Sequence, residues 1–271
     1  MKDQAIETAA RLSGHRKLAA LREYLQAEIL FSLQNQNAFQ KMAFVGGTAL
    51  RFLHGIGRYS EDLDFSAAGE KFDPAYLWTK VTRDLADAGY QVSMHPRKKG
   101  AIAGVYYRFE GLLHESGISG HQKEKLAIRV EVDLRPPAGA VLQTTMVRRH
   151  FILSLRHYDL ASLFAGKCHA VLQRRYTKGR DVYDLAWYLT QPGIEPNLIL
   201  LNNALRQTGW KGPEADKKNW KDILAQAVEH IDWKAVREEL SNFLETPAEL
   251  TGIQKESLLS LLRQGNIMPE V

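Results

Sequence analysis

A single cysteine, Cys168, stands among the 271 residues. No intrachain disulfide can staple the chain, and the composition suits a reducing compartment. The nine histidines include no His-Glu-x-x-His and no paired Cys/His spacing, which removes the common zinc sites. A Gly-x-Ser-x-Gly elbow and a Walker A segment are both missing, so neither a serine hydrolase nor a P-loop nucleotide site is expected. No apolar run is long enough to span a bilayer. The first twenty residues, MKDQAIETAARLSGHRKLAA, lack the continuous apolar core of a signal peptide. These absences lead to the expectation of a soluble, cytoplasmic protein without a membrane partner.

What is present is ordinary in bulk. A content of 45% hydrophobic and 25% charged residues can build one large core or two modest ones. The formal charge is +5 and the isoelectric point lies near 9.2. Basic residues gather at Arg97-Lys98-Lys99, Lys123 to Lys125, Arg148-Arg149 and Arg174 to Arg180. Each cluster alone reads as a solvated surface, but their recurrence beside the segments described next favours a polyanionic partner.

Proline is absent from the first forty residues, where Leu18, Leu21, Leu25, Ile29 and Leu33 form a helical stripe. Met42 to Val45 reads as a short buried strand and Thr48 to His54 as a helix closed by Gly55-Ile56-Gly57. Strands are expected at Asp62 to Ser66, Tyr90 to Met94, Gly104 to Glu110 and Leu126 to Leu134, with one more extended segment over Thr144 to Leu155. The intervening HPRKKGAIAG and HESGISGHQKEK read as mobile loops. From Asp159 the period is helical to the end. The organisation expected is α+β: a mixed-sheet domain with N-terminal helices over 1–157, then an all-helical domain over 158–271.

The segment VGGTALRFLHGIGRYSEDLDFS, Val45 to Ser66, carries the chemistry. Residues two apart on a strand share a face, so Asp62 and Asp64 project together while Leu63 and Phe65 project oppositely. Paired carboxylates repel and lose hydration, a conflict that a hard divalent cation resolves. Gly46 and Gly47 leave backbone N–H groups bare for phosphate oxygens, with a helix N-terminus behind them. A metal dyad beside a phosphate cradle points to phosphoryl or nucleotidyl transfer.

This combination resembles the signature of DNA polymerase β-type nucleotidyltransferases. GGTALR followed by R-x-S-E-D-L-D-F resembles, in particular, the AbiEii/AbiGii toxin family of MenT-like nucleotidyltransferases. The resemblance implies the polymerase β-type fold, with metal on Asp62 and Asp64 and the triphosphate on Gly46, Gly47 and Thr48. It also places Ser60 at the family's serine ahead of the first aspartate. A phosphate on Ser60 would add about −1.5 to −2 charges beside the dyad.

The third carboxylate expected of such sites has two candidates. In IRVEVDLR, Arg129, Glu131, Asp133 and Arg135 share one face. The family pattern of an acidic residue, a hydrophobic residue and an arginine fits Glu131 with Arg135 best, and Asp133 stays open. Lys167 interrupts the apolar stripe Leu160, Leu163, Phe164, Val171 and Leu172, where a lysine must snorkel or meet an anion. AGKCHAVLQR resembles the family's Lys-x-x-Ala-x-x-x-Arg motif, which implies that Lys167 binds the triphosphate and that Arg174 extends the anion site. In KGRDVYDLAWYL, the family's Arg-Asp-x-x-Asp implies a site role for Asp181. Periodicity leaves Asp181 and Asp184 on the helix flank.

The function expected is nucleotidyl transfer from an NTP to RNA, in the resembled family the tRNA 3′ end, with Mg²⁺ (Mn²⁺ as the alternative) and a cognate antitoxin as partner. The competing expectations are a small hydroxylated molecule or a protein as acceptor, and a silent interaction protein retaining the fold.

Overall fold

The computed structural model describes residues 1–69, 72–174 and 176–263. The chain divides into two compact units. Unit 1 comprises Met1–Gly55, Tyr59–Pro136 and Leu142–His157, and unit 2 comprises Ile56–Arg58, Pro137–Val141 and Tyr158–Val271.

Unit 1 begins with α1 (Lys2–Ala10) and α2 (His15–Asn35). Leu21, Leu25, Ile29 and Leu33 of the expected stripe are fully buried on one face of α2. Each contributes roughly 1.5–3 kcal/mol relative to exposure, which anchors a helix already rich in the helix formers Ala, Leu, Arg, Glu and Gln. There follow β1 (Met42–Val45), α3 (Gly46–His54), β2 (Leu63–Ala67), α4 (Ala75–Asp87), β3 (Val92–Lys99), β4 (Ile102–Phe109), α5 (Leu112–Glu115), β5 (Leu126–Asp133), β6 (Leu142–Arg149) and β7 (Phe151–Tyr158). The seven strands form one sheet in the order β3-β4-β5-β2-β1-β7-β6. It is mixed: β2 runs parallel to β5 and β1 to β7, whereas β1/β2, β3/β4 and β4/β5 are antiparallel. One face supplies the core through Leu63, Phe65, Val105, Tyr107, Ile128, Val130 and Val132, all buried.

Two expectations for the sheet are corrected. The segment expected as a mobile loop after Met94 is mostly strand, because β3 runs to Lys99 and β4 resumes at Ile102 after Gly100 in a left-handed conformation (φ +59°). Pro96 and three consecutive basic residues hid it, yet both features are characteristic of edge strands, and β3 ends the sheet. The single extended segment expected over Thr144 to Leu155 is two strands, β6 and β7, separated by His150 at φ +60°.

A buried ionic cluster ties α2, α3 and β6 together. Glu23 accepts from Arg51 Nε at 2.6 Å and from Arg149 Nε at 3.0 Å, and Arg149 also donates to the Arg51 carbonyl at 3.0 Å. Burial pushes the Glu23 carboxyl up, but His150, Arg51 and Arg149 outweigh it and bring it down from 4.5 to about 2. A depressed carboxylate contributes stability above its unfolded value and loses it as pH falls through the folded one. Glu23 is therefore expected to make unit 1 lose about 3 kcal/mol between roughly pH 5 and pH 2. Urea unfolding of the parent and Glu23→Gln across that range checks this, the variant showing a shallower acid limb.

Unit 2 is helical: α6 (Leu160–Gln173), α7 (Gly179–Leu189), α8 (Leu198–Gln207), α9 (Trp220–Glu229), α10 (Trp233–Leu240) and α11 (Lys255–Arg263). Side-chain caps start three of them. Asp159 accepts from the Ser162 N–H at 2.8 Å, Asn197 from Leu200 at 3.0 Å, and Asp232 from Ala235 at 3.1 Å. In the core Phe164 stacks on Tyr188 at 4.3 Å between ring centres and meets the edge of Trp220 at 5.7 Å. The architecture is α+β, a mixed sheet followed by a helical C-terminal part. Among the described residues no helix is long and apolar enough to cross a membrane.

Candidate active site

The register of the sheet assembles the first group of candidate residues in unit 1. Asp64 on β2 lies between Val45 of β1 and Glu131 of β5, and the same row continues through Gly104 of β4 to Arg97 of β3. Paired residues share a face, so Asp64 and Glu131 stand side by side. Asp133 instead pairs with Ser66, one step along the strands, and its Oδ1 accepts from the Arg135 N–H at 2.9 Å. Leu63 and Phe65 are buried on the reverse face, while Asp64 is half-buried.

The glycine pair belongs to the helix rather than to a turn ahead of it: α3 begins at Gly46, two residues earlier than the sequence suggests. Gly46 has φ +80°, and a Cβ there would lie 2.7 Å from Asp64 Oδ2. Two independent constraints thus require glycine, the left-handed backbone and the closeness of the carboxylate. Gly46→Ala is expected to cost about 1–3 kcal/mol in urea unfolding and to displace Asp64, so that activity falls further than stability alone explains. Equal stability and activity in the variant would contradict this.

Thr48, fully buried, donates its hydroxyl to the Asp62 carbonyl. Gln26 Nε2, also buried, donates to the Ser60 carbonyl at 3.1 Å. The chain entering β2 is therefore held at two points, which fixes where Asp62 emerges. Asp62 itself accepts from Arg129 Nη2, and Arg129 Nη1 reaches Glu131 at 3.4 Å. The hydrogen bond to Asp62 pushes the Arg129 guanidinium up, so it stays charged. Arg129 was on the polar face read from the sequence, but nothing there marked it as the partner of Asp62.

Among the described residues no three His, Cys, Asp or Glu side chains stand together closely enough to hold a metal ion by themselves. The donors are nevertheless all carboxylate oxygens, and the Asp62 and Glu131 side chains are 27% and 32% exposed. Mg²⁺ takes one or two carboxylates and completes its shell with water and substrate phosphate. The residues present fit such an ion.

Unit 2 holds the second group, more deeply buried than the sequence implied. Asp181 and Asp184 are not on a solvated flank of α7: they are 2% and 0% exposed. Lys167 of α6 does not snorkel. Its ammonium lies 2.7 Å from Asp184 Oδ2 and 3.2 Å from Asp181 Oδ1. Arg174 pairs with the other oxygen of Asp181. Arg175, within the basic segment noted above, lies outside the described residues.

The partner that sequence reasoning missed is Arg58, 1% exposed, whose Nε and Nη2 donate to the two oxygens of Asp184 at 2.6 Å each. It stands first in the R-x-S-E-D-L-D-F segment, so the motif contained the residue without revealing what it binds. Burial pushes the Asp184 carboxyl up, and Arg58 and Lys167 reverse that and hold it below the ordinary range. Among the described residues Arg58, Lys167 and Arg174 thus face Asp181 and Asp184 in this cluster.

The mixed sheet, the glycine-initiated helix and the Asp-x-Asp together define a nucleotidyltransferase fold. Two solved structures share it: a candidate nucleotidyltransferase from H. pylori (21% identity, TM-score 0.58, covering 93% of this chain and 95% of that one) and JHP933 from Helicobacter pylori (20% identity, TM-score 0.55, 91% of each chain). The chain belongs to the AbiEii family, whose model, "Nucleotidyl transferase AbiEii toxin, Type IV TA system", matches residues 28–255. It is a nucleotidyltransferase of a toxin–antitoxin family, which implies an NTP substrate and an antitoxin partner. No curated protein matches the chain.

Proposed function

We propose that the protein transfers a nucleoside monophosphate from an NTP to an RNA acceptor, the tRNA 3′ end in particular, and releases pyrophosphate. The observation that carries this is the row placing Asp64 between the Gly46 backbone and Glu131. An acceptor hydroxyl oxygen attacks the α-phosphorus, the bond from that phosphorus to the β-phosphate bridging oxygen breaks, and pyrophosphate leaves.

Asp62 and Asp64 are proposed to hold Mg²⁺, which when bound would offset charge on the phosphates. Arg129 donates to one of the two oxygens of Asp62 and would steady the carboxylate that holds the ion. Gly46 and Gly47 present backbone N–H groups to the triphosphate, and Thr48 and Ser60 set the position of the dyad. Within unit 2, Lys167 and Arg174 are the proposed phosphate-binding cations, with Asp181 orienting both and Asp184 fixed by Arg58. Glu131 is assigned the hydroxyl proton. Asp133, occupied at the strand end, is the second choice for that role.

An NTP should raise the melting temperature only with Mg²⁺, and pyrophosphate should appear only when RNA is added. Pyrophosphate release with a small hydroxylated compound or a protein in place of RNA would redirect the acceptor assignment. No NTP-dependent shift would mark a silent fold.

A further inference from the structure

Beside Glu131, on the same face of the sheet, lies a cavity of about 310 Å³ lined by Arg97, Lys99, Gly104, Tyr106, Arg129 and Glu131 among others. It arises from the register: Arg97 and Glu131 flank Gly104 on neighbouring strands, and the glycine leaves the space between them empty. A Cβ on residue 104 would stand 3.3 Å from Glu131 Cγ and 3.2 Å from the Val130 carbonyl, tighter than packing normally allows. One row further along, Tyr106 stands between Arg129 and His95 and gives the cavity an aromatic wall.

The charge on this cavity is unbalanced. Arg129 is committed to Asp62 and Glu131. Arg97 and Lys99 are exposed, and among the described residues neither has an ion-pair partner. A strand that places two unpaired cations toward a concavity has no stability reason to do so, because like charges two residues apart repel. The space is about ten times the ~30 Å³ of one water and near the lower end of organic-ligand pockets. It therefore admits more than a bare ion. Cations interleaved with an aromatic ring are the recognition chemistry of a single-stranded nucleic acid, whose phosphates take the charge and whose base takes the ring.

We infer that this cavity seats the acceptor strand: Arg97 and Lys99 bind phosphodiester oxygens and Tyr106 stacks on a base, delivering the terminal hydroxyl to Glu131. The inference rests on the proposed RNA acceptor and adds where that acceptor is gripped. It makes β3, an edge strand, a substrate-binding element. The donor triphosphate does not use it.

The test is fluorescence anisotropy of 5′-labelled total tRNA and of a labelled single-stranded oligoribonucleotide, over a salt series, on full-length parent and Arg97→Ala/Lys99→Ala. NTP affinity is measured on the same proteins by thermal shift. Lys217→Ala/Lys218→Ala removes the same charge from exposed positions of unit 2. The expected result is RNA affinity at least tenfold weaker in the first variant, with the slope of log K against log salt shallower by about 1.4, two contacts at roughly 0.7 each for a single strand. NTP affinity should be retained, the control should bind RNA as the parent does, and in turnover the KM for RNA should rise. Unchanged RNA affinity in a parent that labels RNA would overturn the acceptor cavity while leaving the proposed function standing. Loss of NTP affinity instead would reassign the cavity to the donor. A parent that binds no RNA and modifies a small molecule or a protein would overturn both.

Discussion

Asp64→Asn is expected to lower nucleotide transfer by about three orders of magnitude, some 4 kcal/mol of transition-state stabilisation, with little change in unfolding midpoint. The side chain keeps its size against Gly46, where an added Cβ would lie 2.7 Å from Oδ2, and the substitution removes charge and a metal-grade oxygen. Transfer to the α-phosphorus depends on positioning and charge stabilisation, and carboxylates that carry the metal contribute to both. The neighbours allow a graded comparison. Glu131→Gln, in the same row as Asp64, should lose roughly a hundredfold, as expected of a general base. Asp133→Asn, paired with Ser66 and engaged with the Arg135 N–H, should stay within a few-fold of the parent. Steady-state rates of pyrophosphate release for the three variants check the order. A large loss in Asp133→Asn with a small one in Glu131→Gln would exchange their roles.

Arg58→Ala is expected to destabilise unit 2 by about 3–5 kcal/mol, because it strands a fully buried carboxylate. Lys167 remains within 2.7 Å of Asp184, but one ammonium already shared with Asp181 cannot replace a two-pronged guanidinium. Arg58→Lys should recover only part of the loss, since a point charge lacks the fork. Arg58→Met combined with Asp184→Leu should be more stable than Arg58→Ala, because a matched apolar pair removes the desolvation cost as well as the attraction. Four of the five tryptophans, Trp187, Trp210, Trp220 and Trp233, lie in unit 2, so fluorescence during urea unfolding reports the unit that contains the pair. A loss below 1 kcal/mol in Arg58→Ala would show that the pair contributes little.

Local signals made much of this architecture legible. The β1 strand, the α2 stripe and the alternation of Asp62, Leu63, Asp64 and Phe65 depend on neighbours within a few residues, and the pattern carries them. The residues misread depend on distant partners. Asp181 and Asp184 look like a polar flank because nothing local shows that Arg58, 126 positions away from Asp184, and Lys167 neutralise them. Arg129 looks like one more polar residue of β5 until the β2/β5 register sets it near Asp62. The β3–β4 hairpin failed for a different reason: an edge strand tolerates proline and charge, so the sequence there carries the marks of a loop. His150 turns β6 into β7 without the glycine or asparagine that would have announced it.

The central claim, nucleotide transfer to RNA by the carboxylates of this sheet, is tested most directly by incubating the full-length protein with Mg²⁺, total tRNA and each NTP in turn, labelled with ³²P at the α-phosphorus. The account predicts label in the RNA with at least one NTP, none when the label is at the γ-phosphorus, and none with Asp62→Ala. Label entering RNA equally with Asp62→Ala, or entering no RNA with any NTP, would contradict it.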